Sequence, residues 1–347
     1  MIPYLLRAFR RRVLNNPSAP LRVAVALVAV LAYGSTGFLY FEIEANPNLG
    51  WDDAVWYAVV TLTTVGYGDF YPQTTGGRFV VAVPLMLFGI GLLGYVLSVA
   101  ASLLVEAKNK ELHGMVTHKL SQHLVIINFP SLGKLERLLD ELEGDPSFGK
   151  RDVVLIDEDL NELPPELAKR EVAFVRGNPT RDETLTRASL DDAAYAVVLS
   201  KTPGNPHSDD LSVAVTLAIE ARTRSVYTVV ECVDYATEEL LRKAGCDRIV
   251  CTSRFAAHFL SHELLNPGVQ EVVEELTSNL RGQQIYVTTY EGKACKLSDL
   301  AARFERAGHL VIGVRGEAGA RLNPPPDAAL AKGDAVISIG SQRVSLS

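Results

Sequence analysis

The chain has 347 residues, more than one ordinary domain holds and enough for two or three. Its residues are 48% hydrophobic, with the excess concentrated in the first third, and the remainder reads as a charged, water-soluble protein. The formal net charge of -7 argues against nucleic acid as the main partner, because phosphate binding calls for a basic surface. Cys232, Cys246, Cys251 and Cys295 all fall in the soluble part without a CxxC pair. They are expected to be reduced, mostly buried thiols facing the cytosol and not a disulfide or zinc framework.

In chain order, Arg7, Arg10, Arg11 and Arg12 precede an apolar run over residues 21–41. That run is a full span of about 20 residues, too long for the short apolar core of a cleavable leader. A second uncharged run covers residues 79–105, close to 40 Å as a helix against a hydrocarbon core of roughly 30 Å. It must tilt, bend or project. Pro84, Gly89, Gly91 and Gly94 offer places to bend, and the same glycines suit close packing between helices. The arginines before the first span, and Lys108, Lys110 and Lys119 after the second, place both ends in the cytoplasm by the positive-inside rule. The acidic loop with Glu42, Glu44, Asp52 and Asp53 then lies outside. No segment has arginines at every third position, as a voltage sensor would.

Residues 51–63 read as a short helix with Asp52 and Asp53 in its first turn, where carboxylates favour the positive end of the helix dipole. Thr63-Thr64-Val65-Gly66-Tyr67-Gly68-Asp69 follows at once. This run resembles the selectivity filter of potassium channels, in which backbone carbonyl oxygens replace the hydration shell of the ion. Gly66 and Gly68 permit backbone angles that turn successive carbonyls to one axis. Thr64 adds a hydroxyl, and Val65 and Tyr67 brace the loop from outside. The resemblance implies potassium held by Thr64, Val65, Gly66, Tyr67 and Gly68, a pore helix aimed at a central cavity, a homotetramer, and a gating hinge at Gly89 or Gly91.

From His123 short apolar runs alternate with amphipathic segments: strands at 124–127, 153–156, 172–175 and 196–199, helices at 132–142, 163–168 and 180–188. Strict alternation implies a parallel, doubly wound sheet of Rossmann type with a ligand at the carboxyl ends of its strands. The fingerprint is degraded, since Asn128-Phe129-Pro130-Ser131-Leu132-Gly133 keeps one glycine and Pro130 removes an amide donor. Asp157 closes the second strand, placed to accept from ribose hydroxyls. His113, His118 and His123 recur every five residues in a polar linker and read as solvated side chains.

Gly177-Asn178-Pro179-Thr180, Val229-Val230-Glu231-Cys232-Val233-Asp234 and Ala244-Gly245-Cys246-Asp247 are similar to motifs of domains that regulate potassium conductance, the TrkA or RCK type. With the pore, the chain resembles a prokaryotic two-transmembrane potassium channel carrying such a domain, like the calcium-gated archaeal channels. The implied organisation is a basic cytosolic N-terminus (1–20), an α-helical pore (21–108), a linker (109–122), a Rossmann-like α/β lobe (123–253), a helix-turn-helix crossover (254–278) and a small α+β C-terminal lobe (279–347).

The implied function is a potassium channel in the cell membrane, gated by a cytosolic ligand through a ring that pulls on the inner helices, and not an enzyme. An adenine nucleotide (ADP, ATP) or NAD is expected at Asn128, Phe129, Ser131, Asp157, Glu158, Gly177, Asn178 and Ser200. In the calcium-gated branch, carboxylates end the fourth and fifth strands; here Ser200 and Val233 interrupt that set and Glu231 is kept. A rearranged divalent site at Glu231, Asp209 and Asp210 is the alternative, as is a nucleotide sensor for a potassium transporter. Ser208 or Asp209 is otherwise expected to cap the helix near Leu211. The resemblance implies a closed ring of eight such domains; an internal start at Met115 would supply four soluble ones, and the alternative is that Met115 is an ordinary linker residue.

Overall fold

The structure, a computed structural model, describes residues 18–317 and 319–344. The basic stretch with Arg7, Arg10, Arg11 and Arg12 lies outside them. The chain divides after Glu111 into two compact units.

Among the described residues the first unit has α1 (Ser18–Glu42), α2 (Trp51–Leu62), a π-helical turn (Gly77–Ala82) and α3 (Val83–Leu112). Two stretches among these residues are long and apolar enough to cross a membrane, of 20 and 36 residues. The second, at about 1.5 Å per residue, exceeds a hydrocarbon core as expected. Helix α2 starts because Asp53 accepts a hydrogen bond from the Gly50 amide at 3.0 Å, which satisfies an otherwise orphaned donor. Phe38 of α1 stacks on Tyr57 of α2 at 3.9 Å between ring centroids, and Ala54, Ala58, Leu62, Val81 and Leu85 complete one small core.

Small residues let these helices approach. A Cβ on Gly37 would stand 2.8 Å from the Val81 side chain, and one on Gly34 3.0 Å from Leu85. The outer faces are apolar and open: Phe79, Leu87, Phe88, Ile90 and Leu97 are exposed. Such faces call for apolar surroundings.

The second unit opens with a parallel sheet of β1 (Leu124–Ile127), β2 (Val153–Asp157), β3 (Ala173–Arg176), β4 (Tyr195–Val198), β5 (Tyr227–Cys232) and β6 (Arg248–Cys251), ordered β3-β2-β1-β4-β5-β6. Alternate residues of one strand serve opposite faces. Val125, Ile127, Val154, Ile156 and Val198 build one core, and Leu124, Ile126, Leu155 and Phe174 the other. The connecting helices are α4 (Leu132–Gly144), α5 (Pro165–Lys169), α6 (Asp182–Arg187), α7 (Ser208–Arg222) and α8 (Glu238–Ala244). Gly245 ends α8 in the left-handed region at φ 105°, and Asp247 then accepts from the Thr228 amide at 2.7 Å, which explains the Ala-Gly-x-Asp spelling.

After the sheet come α9 (Thr252–Leu265) and α10 (Val269–Thr277), joined at Gly268 with φ 95°. The end of α9 leaves Leu260, Leu264 and Leu265 exposed. A small lobe follows, with β7 (Gln284–Thr289), β8 (Cys295–Lys296), α11 (Leu297–Arg306), β9 (Leu310–Gly316), β10 (Gly319–Leu322), β11 (Ala329–Leu330) and β12 (Ala335–Gly340). Its main sheet is antiparallel, ordered β10-β9-β12-β7.

The three linker histidines correct the sequence reading. His123 is buried and its Nε2 donates to the Ala188 carbonyl at 2.9 Å; His118 Nε2 donates to Phe174 O at 3.2 Å and His113 Nδ1 to Asn161 O at 2.9 Å. Five-residue spacing misled because the segment lies extended against the domain, where backbone carbonyls of other elements receive each ring.

Candidate functional site

The first candidate site is the loop after α2. Thr64, Gly66 and Gly68 have φ of 61°, 58° and 79°, whereas Val65 and Tyr67 between them have negative φ. Alternation of left- and right-handed residues turns successive carbonyls toward one side, and such a loop can offer a column of oxygens to a dehydrated cation. Side chains hold it from behind. Trp56 Nε1 donates to Asp69 Oδ2 at 2.7 Å and its ring lies parallel to Tyr67 at 5.9 Å. Val65 N and Gly66 N donate to the Val60 carbonyl near the end of α2.

Glu42 is a support that the sequence reading assigned only to an external acidic loop. It is 3% exposed and accepts from Gln73 N (2.9 Å), Thr74 N (3.1 Å) and Thr74 Oγ1 (2.6 Å). A carboxylate so deep in the unit is retained because these donors satisfy it. The stretch after this loop is thereby tied to the end of α1. Its detectable sequence signal was an acid directly at the end of an apolar span.

The two proposed hinge glycines differ. A Cβ on Gly89 would stand 2.6 Å from the Leu62 carbonyl oxygen, so Gly89 lets α3 pass the end of α2. Gly91 has nothing within 4 Å.

The second candidate site is the carboxyl edge of the parallel sheet. Chain direction of the connections reverses between β1 and β4, the place where doubly wound sheets open a crevice. Asn128 stands where the first fingerprint glycine would and adopts its left-handed backbone at φ 73°, a conformation asparagine tolerates better than most residues. Its Nδ2 donates to Leu199 O at 2.8 Å. Asp157 is 1% exposed and saturated: Oδ1 accepts from Asp159 N and Leu160 N, and Oδ2 from Phe129 N, all at 2.8 Å, and from Lys201 Nζ at 2.5 Å. Burial works against the Lys201 charge, but Asp157 and Asp159 outweigh it and leave the lysine pKa above its ordinary value.

Asn128, Phe129, Ser131, Asp157, Glu158, Gly177, Asn178 and Ser200 all lie at strand ends along this edge, with different freedom. Ser131 Oγ caps α4 through Lys134 N. Asn178 Oδ1 is occupied by Thr180 N and Oγ1. Ser200 is fully buried, donating from its amide to Glu231 and from Oγ to Ser208 Oγ at 3.0 Å.

The divalent grouping is not assembled. Among the described residues no three His, Cys, Asp or Glu side chains gather as a metal would need. Glu231 is paired with Lys134 Nζ at 2.5 Å, and Asp209 accepts from Val233 N and Asp234 N at 2.8 Å. Neither Ser208 nor Asp209 caps α7, which begins at Ser208 itself. Ser208 Oγ accepts from Thr202 N instead, and Asp209 secures the loop after β5. The cysteines are free, and burial pushes the Cys232 thiol up to about 12 and Cys246 to about 11, so they are inert thiols at neutral pH.

Comparison with known proteins agrees with both units. A family model described as "Ion channel" matches residues 25–106, and one described as "TrkA-N domain" matches residues 135–252. The calcium-gated potassium channel TvoK of Thermoplasma volcanium is 27% identical, over 78% of this chain and 76% of that protein. Potassium channel protein 1 of Methanocaldococcus jannaschii is 28% identical, over 84% and 87%. Among solved structures, the GsuK channel bound to NAD aligns at 16% identity and a TM-score of 0.45, covering 94% of this chain and 58% of that one. A pore unit followed by a TrkA-N domain defines a channel and not an enzyme. The chain carries an ion-channel unit and a TrkA-N domain, and is in this similar to the prokaryotic two-span potassium channels that carry a regulator-of-potassium-conductance domain.

Proposed function

We propose that four copies of this chain form a potassium-selective pore in the cell membrane, with both termini in the cytoplasm, opened or closed by a ligand of the TrkA-N unit. The alternating backbone of residues 64–68 carries this reading, because one loop supplies a quarter of the oxygens a dehydrated ion needs. Potassium flux into liposomes holding the purified protein, with sodium excluded, is the expected result. Equal sodium flux would reject it.

The ligand we assign is an adenine nucleotide, NAD included, with its ribose at Asp157 and its phosphates near the β1–α4 turn. Left-handed Asn128 and the carboxylate at the end of β2 support this, together with two lysines, Lys134 and Lys201, that can meet phosphate charge. Calcium, named in the relative TvoK, is the ligand to test against. A thermal-shift series with NAD, NADH, ADP, ATP and calcium on the full channel should show a rise with nucleotide, since ligands of the folded state stabilise it by mass action. A rise with calcium alone would reject the nucleotide.

The TrkA-N units pair into a ring, through α9 and α10 with their exposed leucines, and four further soluble copies starting at Met115 would complete eight. Force leaves the ring through residues 112–122, which are fastened along β3 and α6. Arg176 N donates to Gly114 O at 3.0 Å, His118 N to Arg187 O at 2.9 Å, and the Arg187 guanidinium to both Gly114 O and Arg176 O. Gly114 has φ 63°, and a Cβ there would stand 2.3 Å from Arg176 N. Slack placed ahead of this clamp, as Gly-Ser pairs after Lys110, should leave nucleotide binding intact and abolish its effect on flux. A full response through the slack connection would refute the mechanical route.

A further inference from the structure

Two ion pairs cross the crevice in opposite directions. Lys201, just past β4, reaches over β1 to Asp157 at the end of β2, with Nζ 2.5 Å from Asp157 Oδ2 and 3.1 Å from Asp159 Oδ2. Lys134, in the first turn of α4 after β1, reaches over β4 to Glu231 on β5, at 2.5 and 2.6 Å from the two carboxylate oxygens. The sequence separations are 44 and 97 residues, so neither pair is a local helix contact.

The first pair bears on ligand choice. Asp157 Oδ2 already receives Phe129 N and Lys201 Nζ, and Oδ1 receives two amides. Three of these four donors are backbone groups fixed by the turns they close. A hydroxyl can reach the carboxylate only by displacing the fourth, Lys201. The displaced ammonium then keeps only Asp159, whose carboxylate is 80% exposed and weakened by water, because Glu231 is taken by Lys134. A nucleoside brings no stronger partner, whereas a nucleotide brings its phosphate.

Resting on the nucleotide reading above, we propose that Lys201 is the specificity residue of this crevice. It holds Asp157 in the free protein and moves to a phosphate group when ribose takes its place, so that phosphorylated nucleosides are selected over bare ones. Charge-assisted bonds of this kind are stronger than neutral ones and suit a two-position donor. Lysine also has the flexible stem and rotatable donors that such a transfer needs.

Calorimetry on the full-length channel in detergent, with adenosine and with ADP, tests it. Wild-type protein should bind ADP more tightly than adenosine. In Lys201→Met adenosine should gain affinity, since its competitor for Asp157 is gone, while ADP loses its phosphate partner. The ADP-to-adenosine preference should fall about tenfold or more, roughly the worth of one charge-assisted bond. Lys201→Arg, with charge retained, should keep most of the preference. Should the methionine variant not fold, Lys201→Gln can still donate to Asp157 and carries the same expectation for ADP. A preference unchanged or raised on loss of the charge would overturn the role of Lys201 while leaving nucleotide binding in place. Wild-type protein that binds neither compound would overturn the nucleotide reading, and this one with it.

Discussion

The loop at residues 63–69 and the crevice of the parallel sheet are the two candidate sites, and they are made from opposite materials. The loop presents backbone: its ligand groups are carbonyls, and side chains such as Trp56, Tyr67 and Glu42 only brace it. The crevice presents side chains drawn from far apart, with Asp157, Lys201, Lys134 and Glu231 contributed by or after β2, β4, β1 and β5. A backbone site tolerates little change in the residues that set its angles. A side-chain site can rearrange its partners, and its free form can satisfy its own charges until a ligand displaces them.

Gly66→Ala attacks the backbone site where this difference is sharpest. A Cβ would meet no neighbouring atom, so crowding is not at issue, but φ is 58° and an L side chain there costs about 1–2 kcal/mol. In the proposed tetramer that strain would enter one ion column four times. Potassium-selective flux should be abolished while the folded cytosolic unit melts as in wild type. Normal selectivity in this variant would mean that the loop is not the filter.

Asp157→Ala is the matching attack on the side-chain site. It leaves the amides of Phe129, Asp159 and Leu160 without their acceptor and Lys201 without its main partner, in a place 1% exposed. Breaking one side of a buried pair typically costs about 3–5 kcal/mol. The cytosolic unit should therefore lose stability as well as nucleotide, seen as an early separate melting step. An unchanged melt would show that the four donors find water or other acceptors at no cost.

How much of each site could be read from the residues follows the same division. The candidate filter loop was legible because its glycines and its flanking spans are adjacent in sequence, and the parallel sheet because each strand announces itself with a run such as Leu124-Val125-Ile126-Ile127. Asn128 for glycine looked like a broken fingerprint, yet its left-handed backbone does the glycine's work. Lys201 and Lys134 drew no attention in the sequence, because each finds its partner 44 or 97 positions away, across a strand. Ser208 and Asp209 looked like helix caps because capping is their commonest local use; the loop after β5, brought alongside by the fold, claimed Asp209 instead. Long-range pairing leaves no periodicity to detect.

Gly89 and Gly91 separate packing from bending within the pore itself. With the Leu62 carbonyl 2.6 Å from its added Cβ, Gly89→Ala should push α3 away from α2 and disturb the filter's support, lowering both flux and selectivity. Gly91→Ala meets nothing and should affect only the ease of bending, with a modest fall in open probability in single-channel records and selectivity intact. If Gly89→Ala gave only the second effect, the approach of α3 to α2 would be looser in the assembled channel than in one chain.

The smallest effect expected lies at the root of the sheet, in His123. Burial lowers its pKa below the usual histidine value, against the opposing pull of the Ala188 carbonyl and of Asp152 and Asp192. The unfolded chain therefore takes up a proton at a higher pH than the folded one. Stability from the neutral ring is complete above the ordinary histidine pKa, near 6.5, and is lost as pH falls from there toward the lowered folded value. The melting temperature of the cytosolic transition should accordingly drop between pH 7.5 and 5.5. Asparagine at 123 keeps a donor for Ala188 O but does not titrate, so the variant should start lower, for want of the ring's packing, and fall less over the same interval. Because every other titrating group is common to both proteins, the difference between them in this window isolates the histidine. An equal fall in both would place the pH sensitivity in other groups and leave His123 as a hydrogen-bonded core residue alone.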